Sequence, residues 1–328
     1  MALTFKRNHH KVYPAPGVLE LLERGEITPV TAFNMLPQNA MEANGKGIEA
    51  EEARRRRVEE VLHELDRLVG LTSVKGLVRE MQAYVEIQKR REKEQLAAEP
   101  LVLHMIFKGN PGTGKTTVAR IVGKLFKELG VLSKGEVVEV ERADLVGEYI
   151  GHTAQKTREM LKKALGSILF IDEAYSLARG GEKDFGKECI DCLVKGMEDY
   201  KDNLILILAG YHDEMNWFLQ TNPGLRSRFP IHIAFPDYTI EELLCIGDLM
   251  LQERQYQLAE QAPEELKRLL IGQTGVGFEH SGNARLVRNL LEKAIRKQAV
   301  RLVQRKLLTR EELMVLTKED IGEGALLG

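Results

Sequence analysis

The run Gly109-Asn-Pro-Gly-Thr-Gly114-Lys115-Thr116 constrains this chain more than any other stretch, because of what flanks it. Before it, Leu101 to Phe107 reads as an apolar strand; after it, helical spacing runs from Lys115 to about residue 129. A glycine-rich loop between strand and helix lets successive backbone N–H groups turn inward, toward the positive end of the following helix. Such a cradle suits phosphate. In the G-x-x-x-x-G-K-[ST] pattern the lysine reaches the β- and γ-phosphates and the hydroxyl ligates Mg²⁺. The expected ligands are therefore ATP and Mg²⁺, held by Gly109, Asn110, Pro111, Gly112, Thr113, Gly114, Lys115, Thr116 and Thr117.

The rest of the pattern fits a parallel α/β sheet. Further strand candidates are Glu136 to Val140, Ile168 to Ile171, Leu204 to Leu208 and Ile231 to Phe235, with helices expected near 115–129, 153–165 and 187–200. Each strand is a short run rich in Val, Ile and Leu, as expected when both faces are covered. After Pro236 helices take over: Thr239 with Glu242 forms a capping box, Pro263 opens a second helix, and Asn283 to Gln304 reads as a long third. Upstream, Val58 to Leu68 and Leu77 to Ile87 read as two amphipathic helices separated by Gly70. Residues 1–57 hold Pro14, Pro16, Pro29 and Pro37, with one short helical candidate at Val18 to Arg24. The expected division is a flexible arm (1–57), a helical linker (58–99), an α/β nucleotide-binding domain (100–236) and an α-helical lid (237–328).

A second constellation, Ser-Ile-Leu-Phe-Ile-Asp172-Glu173, is a buried strand ending in two carboxylates. Asp172 is placed to face the Mg²⁺ shell, and Glu173 to orient and polarise an attacking water. Paired acids also begin ordinary turns, but together with Lys115 they point to hydrolysis rather than binding alone.

With these motifs in order, the chain resembles the AAA+ ATPases. GNPGTGKTTVAR, LVGEYIGHTAQKT, ILFIDEAYSLARGG, LAGYHDEM and NPGLRSRFP resemble the branch shared by the red-type Rubisco activase CbbX and stage V sporulation protein K, over about residues 65–305. SILFIDEAYSLARGGEKDFGKE and the RKQAVRLV tail look more like the sporulation member. The resemblance implies an AAA+ core with a five-stranded parallel sheet and a C-terminal helical lid. It places Val69 and Gly70 beside the adenine, Arg285 as a lid arginine contacting the γ-phosphate, and Arg228 as a finger reaching a neighbouring subunit's ATP. Arg226 is the weaker alternative. Tyr149, Ile150 and Gly151 match the aromatic–hydrophobic–glycine loop of AAA+ pores, and Arg179 to Gly186 is a second such candidate. In one departure, Tyr211 stands where many relatives place an asparagine that helps hold the attacking water.

Composition narrows the partners. A formal net charge of −2 gives no global positive field for nucleic acid or acidic lipid. Arg54 to Arg57 is flanked by glutamates and reads as a solvated helix face. No apolar run approaches the ~20 residues of a membrane helix, and MALTFKRNHH lacks a signal-peptide core. Three cysteines are too few for a disulfide framework, and Cys189-x-x-Cys192 reads as a pair of helix residues. The expectation is a cytoplasmic ATPase forming a homo-oligomer, six subunits being the family's habit. It would remodel a protein client in sporulation. A nucleic-acid motor, a Rubisco-activase-type remodeller and a nucleotide-dependent scaffold are the competing readings.

Overall fold

The computed structural model describes residues 38–97, 102–149, 151–179, 184–274, 282–305 and 307–322. The helical candidate Val18 to Arg24 lies outside them. By contacts the chain divides into two units, Met1–Glu59 and Glu60–Gly328.

Helix α1 spans Gln38–Asp66, so the arm expected to extend to residue 57 gives way to helix well before that point. The physical reason is local: Glu49 to Glu60 is built almost wholly from Ala, Glu and Arg, all good helix formers, and no proline follows Pro37 until Pro100. Within this helix Arg56 pairs with Glu52 at 3.7 Å, one turn apart.

In the second unit, α2 (Thr72–Lys93) precedes β1 (Met105–Gly109), α3 (Lys115–Glu128), β2 (Val137–Val140), α4 (Arg142–Leu145) and α5 (His152–Lys163). There follow β3 (Ile168–Ile171), a 3-10 turn at Ala174–Ala178, α6 (Gly186–Asp199), β4 (Ile205–Gly210), α7 (His212–Thr221), α8 (Pro223–Arg228) and β5 (Ile231–Phe235). The five strands form one parallel sheet in the order β2-β3-β4-β1-β5. The central strands β3 and β4 are buried at every position, which is why they read as unbroken apolar runs. Leu169, Ile171, Leu206 and Leu208 point into one cluster with Leu161, Leu193, Met197 and Phe218 from α5, α6 and α7. By the two-residue pleat their neighbours Ile168, Phe170, Ile205 and Ile207 face the opposite side, where α3 buries Val118, Ile121, Val122 and Leu125. Phe107 fixes the middle of the sheet, edge-on to Phe170 at 6.4 Å and tilted against Phe235 at 5.0 Å. Truncating it to alanine is expected to cost about 3–5 kcal/mol.

β1 begins at Met105, later than Leu101. Just before it, His104 is buried, and its Nδ1 accepts the Leu206 N–H at 3.0 Å. Cys189 and Cys192 sit one turn apart in α6; burial pushes the Cys189 thiol up to about 12, so it behaves as an apolar core group.

The lid follows the expected caps. Thr239 accepts from Glu242 N at 3.2 Å and opens α9 (Ile240–Glu253); α10 covers Ala262–Thr274 and α11 Asn283–Val303. Leu243, Leu266, Leu270, Val287 and Leu291 make its own core. It is not wholly helical: Gln257–Leu258 (β6) pairs in parallel with Val315–Leu316 (β7), between the short helices α12 (Arg310–Met314) and α13 (Lys318–Ile321). Two-residue strands are too short to carry an alternating signal in the sequence. Among the described residues no helix is long and apolar enough to cross a membrane.

Candidate active site

The carboxyl ends of β1, β3 and β4 converge on a cavity of about 690 Å³, closed on the other side by the linker and the lid. Its lining includes the polar residues Lys115, Thr116, Asp172, Glu173, Tyr211 and Arg285. It also includes the apolar residues Leu68, Val69, Leu71, Ile246, Leu249 and Met250, with the charged Glu64, Arg67 and Glu253 close to these in sequence. A lining with both charged and apolar side chains suits a molecule that carries both a phosphate chain and a flat base.

The phosphate loop takes the curl that its glycines permit. Gly112 and Gly114 have φ of +75° and +94°, a region that side-chain-bearing residues rarely enter. Pro111, Gly112, Gly114, Lys115, Thr116 and Thr117 face the cavity. Gly109, Asn110 and Thr113 stand behind it: a Cβ on Gly109 would meet Phe235 O at 2.5 Å, and buried Thr113 donates to Asn110 O at 2.8 Å. Lys115 Nζ donates to Gly109 O at 2.8 Å and Asn110 O at 2.9 Å. Burial draws its pKa below the ordinary lysine value, while Asp172 opposes the shift.

Asp172 follows directly on β3, and its Oδ1 accepts the Glu173 N–H at 3.0 Å. Glu173 is left-handed, with φ +46°. Leu71 (φ +55°) and Asn283 (φ +45°) share that conformation at the same cavity and its rim. Strained backbone gathered around one cavity is a pointer to function. Tyr211 caps α7 at the end of β4, stacked on Tyr175 at 5.8 Å, whose ring lies 4.4 Å from the Arg179 guanidinium. Burial and the neighbouring Glu173 raise the Tyr211 pKa, keeping the phenol a hydrogen-bond donor.

Gly70 has another use. It does not face the cavity; a Cβ there would run into the Glu242 carboxylate, so glycine lets the linker pass the start of the lid. Arg228 and Tyr149 are outside the cavity as well. Arg228 is held by Glu198 Oε1, at 2.9 Å from Nη2, and by Gly224 O at 3.1 Å. Tyr149 is two-thirds exposed, edge-on to His152 at 5.5 Å. Gly151 caps α5 with φ +82°. Ile150 and residues 180–183 of the second candidate loop lie outside the described residues.

Several neighbours carry no motif in the sequence: Asp237, Tyr238, Asn283, Arg288 and the α9 residues Ile246, Leu249 and Met250. The apolar α9 residues look like any lid core in sequence. Asp237 and Asn283 carried a faint signal, being polar residues beside a strand end and a helix start.

Comparison with known proteins agrees with this geometry. Residues 105–237 match the model of the ATPase family associated with various cellular activities (AAA), and residues 239–325 match the AAA lid domain. Together the core, lid and cavity define a nucleotide-binding ATPase. The chain belongs to the AAA ATPase family, in the branch that includes stage V sporulation protein K and CbbX. It is 53% identical to stage V sporulation protein K of Bacillus subtilis, over 84% of this chain and 85% of that one. It is 49% identical to protein CbbX of Cereibacter sphaeroides, over 80% of this chain and 85% of that one. The crystal structure of the FIGL-1 AAA domain in complex with ADP shares the fold, with a TM-score of 0.53 at 18% identity, over 78% of this chain and 80% of that one.

Proposed function

We propose that this chain hydrolyses ATP at sites completed between subunits of a ring and uses the cycle to remodel a protein client. The observation that carries the reading is a division of residues. The phosphate loop, Asp172, Glu173 and Arg285 share one cavity, whereas Arg228 sits outside it, on a surface ion pair with Glu198.

In this reading Lys115 leaves the carbonyls of Gly109 and Asn110 for the phosphates, and the loop amides hold their oxygens. Thr116 and Asp172 offer a hydroxyl and a carboxylate, the sparse oxygen set that suits Mg²⁺ beside phosphate; when bound, the ion neutralises phosphate charge. Glu173 takes the proton of the attacking water, and the Tyr211 phenol donates a hydrogen bond nearby. Arg285 meets the γ-phosphate from the lid. Val69 and Leu71 pack the adenine. Arg228, a planar donor, serves the adjoining subunit's phosphate.

The client contact falls to the loop carrying Tyr149. Its base is anchored, since Gly147 N donates to Thr153 Oγ1 at 2.9 Å and Thr157 Oγ1 to Leu145 O at 3.1 Å, while the tyrosine projects outward. An exposed ring grips an extended polypeptide by packing, without reading its sequence. The basic lid helix favours a nucleic-acid track less than its composition suggests. Arg301 is paired with Asp320 at 2.6 Å, Arg305 with Glu312 at 2.5 Å, and Lys297 with Gly322 O. The relative named for stage V sporulation makes sporulation the proposed setting; a Rubisco-activase-type client is the second reading.

Mixing tests the division of residues. Arg228→Ala subunits titrated into native protein should lower ATP turnover more steeply than the native fraction falls. Turnover that simply tracks the native fraction would remove Arg228 from the neighbour's site.

A further inference from the structure

The outer face of the phosphate loop is not solvated in the ordinary way. Its carbonyls, turned out when the amides turn in, are held by the hinge and the lid. Thr113 O accepts the Tyr238 hydroxyl at 3.2 Å, Gly112 O accepts the Ala284 N–H at 3.2 Å, and Pro111 O lies 3.4 Å from Asn283 Nδ2. One residue earlier, Asn110 Nδ2 donates to both carboxylate oxygens of Asp237, at 3.0 and 2.9 Å. Asp237 Oδ1 also accepts from Asn283 Nδ2 at 2.8 Å, and Asn283 Oδ1 accepts the Tyr238 N–H at 2.9 Å.

Asn283 is fully buried and is the first residue of α11, two positions before Arg285. Its left-handed backbone is one that asparagine tolerates and most residues do not. Contact is close enough that a Cβ on Gly112 would lie 2.5 Å from Gly282 O and 2.8 Å from Arg285 N. The lid thus hangs from the back of the loop whose front is the phosphate cradle.

We propose that Asp237 and Asn283 form a latch through which the phosphate loop sets the position of the lid, and with it Arg285. The proposal rests on the reading of the cavity as an ATP site. Lys115 Nζ donates to Gly109 O and Asn110 O, so drawing the lysine onto a phosphate releases the backbone of the residue whose side chain holds Asp237. Any turn of the peptides at Pro111, Gly112 and Thr113 moves three acceptors that the lid and hinge use. Asp237 and Asn283 are positioning residues: neither faces the cavity. Asp237 also favours the charged form of Lys115, which ties the latch to the loop electrostatically.

The test uses the full chain, with a donor fluorophore on the exposed lid residue Cys245, an acceptor on a Lys163→Cys substitution at the end of α5, and Cys192→Ser. Energy transfer, binding of a fluorescent ATP analogue and steady-state ATP turnover are measured together. Asn283→Gly keeps the left-handed backbone and removes the amide; Asp237→Asn removes the charge and sets amide against amide. Each should bind nucleotide within about fivefold of native, lose the nucleotide-dependent change in energy transfer, and lower kcat tenfold or more with a smaller change in KM. The exchange Asp237→Asn with Asn283→Asp lets the amide at 237 donate to the carboxylate at 283. It should restore the change in part and raise kcat above either single variant, the remaining loss reflecting the Asn283 donor to Pro111 O that a carboxylate cannot replace. Single variants that move and turn over like native protein, an exchange no better than the singles, or a native lid that does not respond to bound nucleotide would each overturn the latch. A native chain that binds no nucleotide would instead overturn the ATP-site reading on which the latch rests.

Discussion

Asp172 Oδ1 accepts the backbone N–H of Glu173 at 3.0 Å, and the residue so held is left-handed, at φ +46° and ψ 44°. A non-glycine residue in that region costs of order 1–3 kcal/mol. Its neighbour Ala174 and the stacked Tyr175 are buried immediately after it, which anchors the turn from below. The sheet thus holds one carboxylate at a strand end and uses it to fix the backbone of the other.

Two substitutions separate strain from chemistry. Glu173→Gln keeps the shape, so nucleotide binding and Tm should stay near native while kcat falls by roughly 10²–10⁴. Glu173→Gly should lose turnover equally yet raise Tm, because glycine relieves the left-handed strain. Thermal melts beside steady-state turnover check both; normal turnover by Glu173→Gln would strip Glu173 of its proposed role.

A matched pair of glycine substitutions probes the contact between lid and loop. Gly112→Ala drives a Cβ into Gly282 O and Arg285 N, at 2.5 and 2.8 Å, so ATP affinity is expected to drop by about tenfold or more. Gly76→Ala, in α2, meets nothing within 4 Å and should stabilise the chain by up to ~1 kcal/mol. Titration with a fluorescent nucleotide and denaturant melts distinguish the two; equal affinity in both would mean that the lid does not press on the loop.

Much of this arrangement was legible because it rests on local rules. Thr239 with Glu242 announced α9, the apolar runs announced β3 and β4 almost to the residue, and Lys115 and Asp172 sat where strand-to-helix turns put them. What stayed hidden depends on chain distance. Asn283 contacts Pro111 and Asp237 across long loops of sequence, and an asparagine at a helix start looks the same whether or not it holds a lid. Gly70 was read as part of the adenine pocket, yet its space is taken by Glu242, a residue that only folding brings there. The change of pattern at Val58 falls beside the division between the two units after Glu59, whereas the helix itself starts earlier, at Gln38, where glycines and asparagines obscure its spacing.

His104 predicts an acid-sensitive core. Burial lowers its pKa from 6.5 to about 4, and Nδ1 accepts the Leu206 N–H, which requires the neutral ring. The folded state binds this proton less readily than the unfolded state. Its contribution is therefore complete above pH 6.5 and is lost as pH falls toward 4, amounting at most to roughly 3 kcal/mol. His104→Asn, which keeps an acceptor near Nδ1, should flatten the stability profile between those limits. Denaturant melts at several pH values check this, and a variant with the same slope as native protein would assign the acid sensitivity elsewhere.

The final prediction concerns force rather than chemistry. Tyr149 is two-thirds exposed, its ring touches only His152 among the aromatic side chains described, and its loop is tied down through backbone and side-chain bonds at Leu145, Gly147 and the Tyr149 carbonyl, none of which uses the tyrosine ring. Removing the ring therefore exposes no core and disturbs none of the cavity residues. Tyr149→Ala should leave Tm within about 1 °C and basal ATP turnover within about twofold of native, as expected for an exposed side chain. On the proposed reading, in which the tyrosine ring packs on the polypeptide, the same variant should lose remodelling of a protein that co-purifies with Glu173→Gln. Tyr149→Phe should keep it, since packing, and not the hydroxyl, supplies the grip. Native-like remodelling by Tyr149→Ala would end the threading idea while leaving the ATP site intact; a parallel loss of turnover would place Tyr149 in the nucleotide cycle instead.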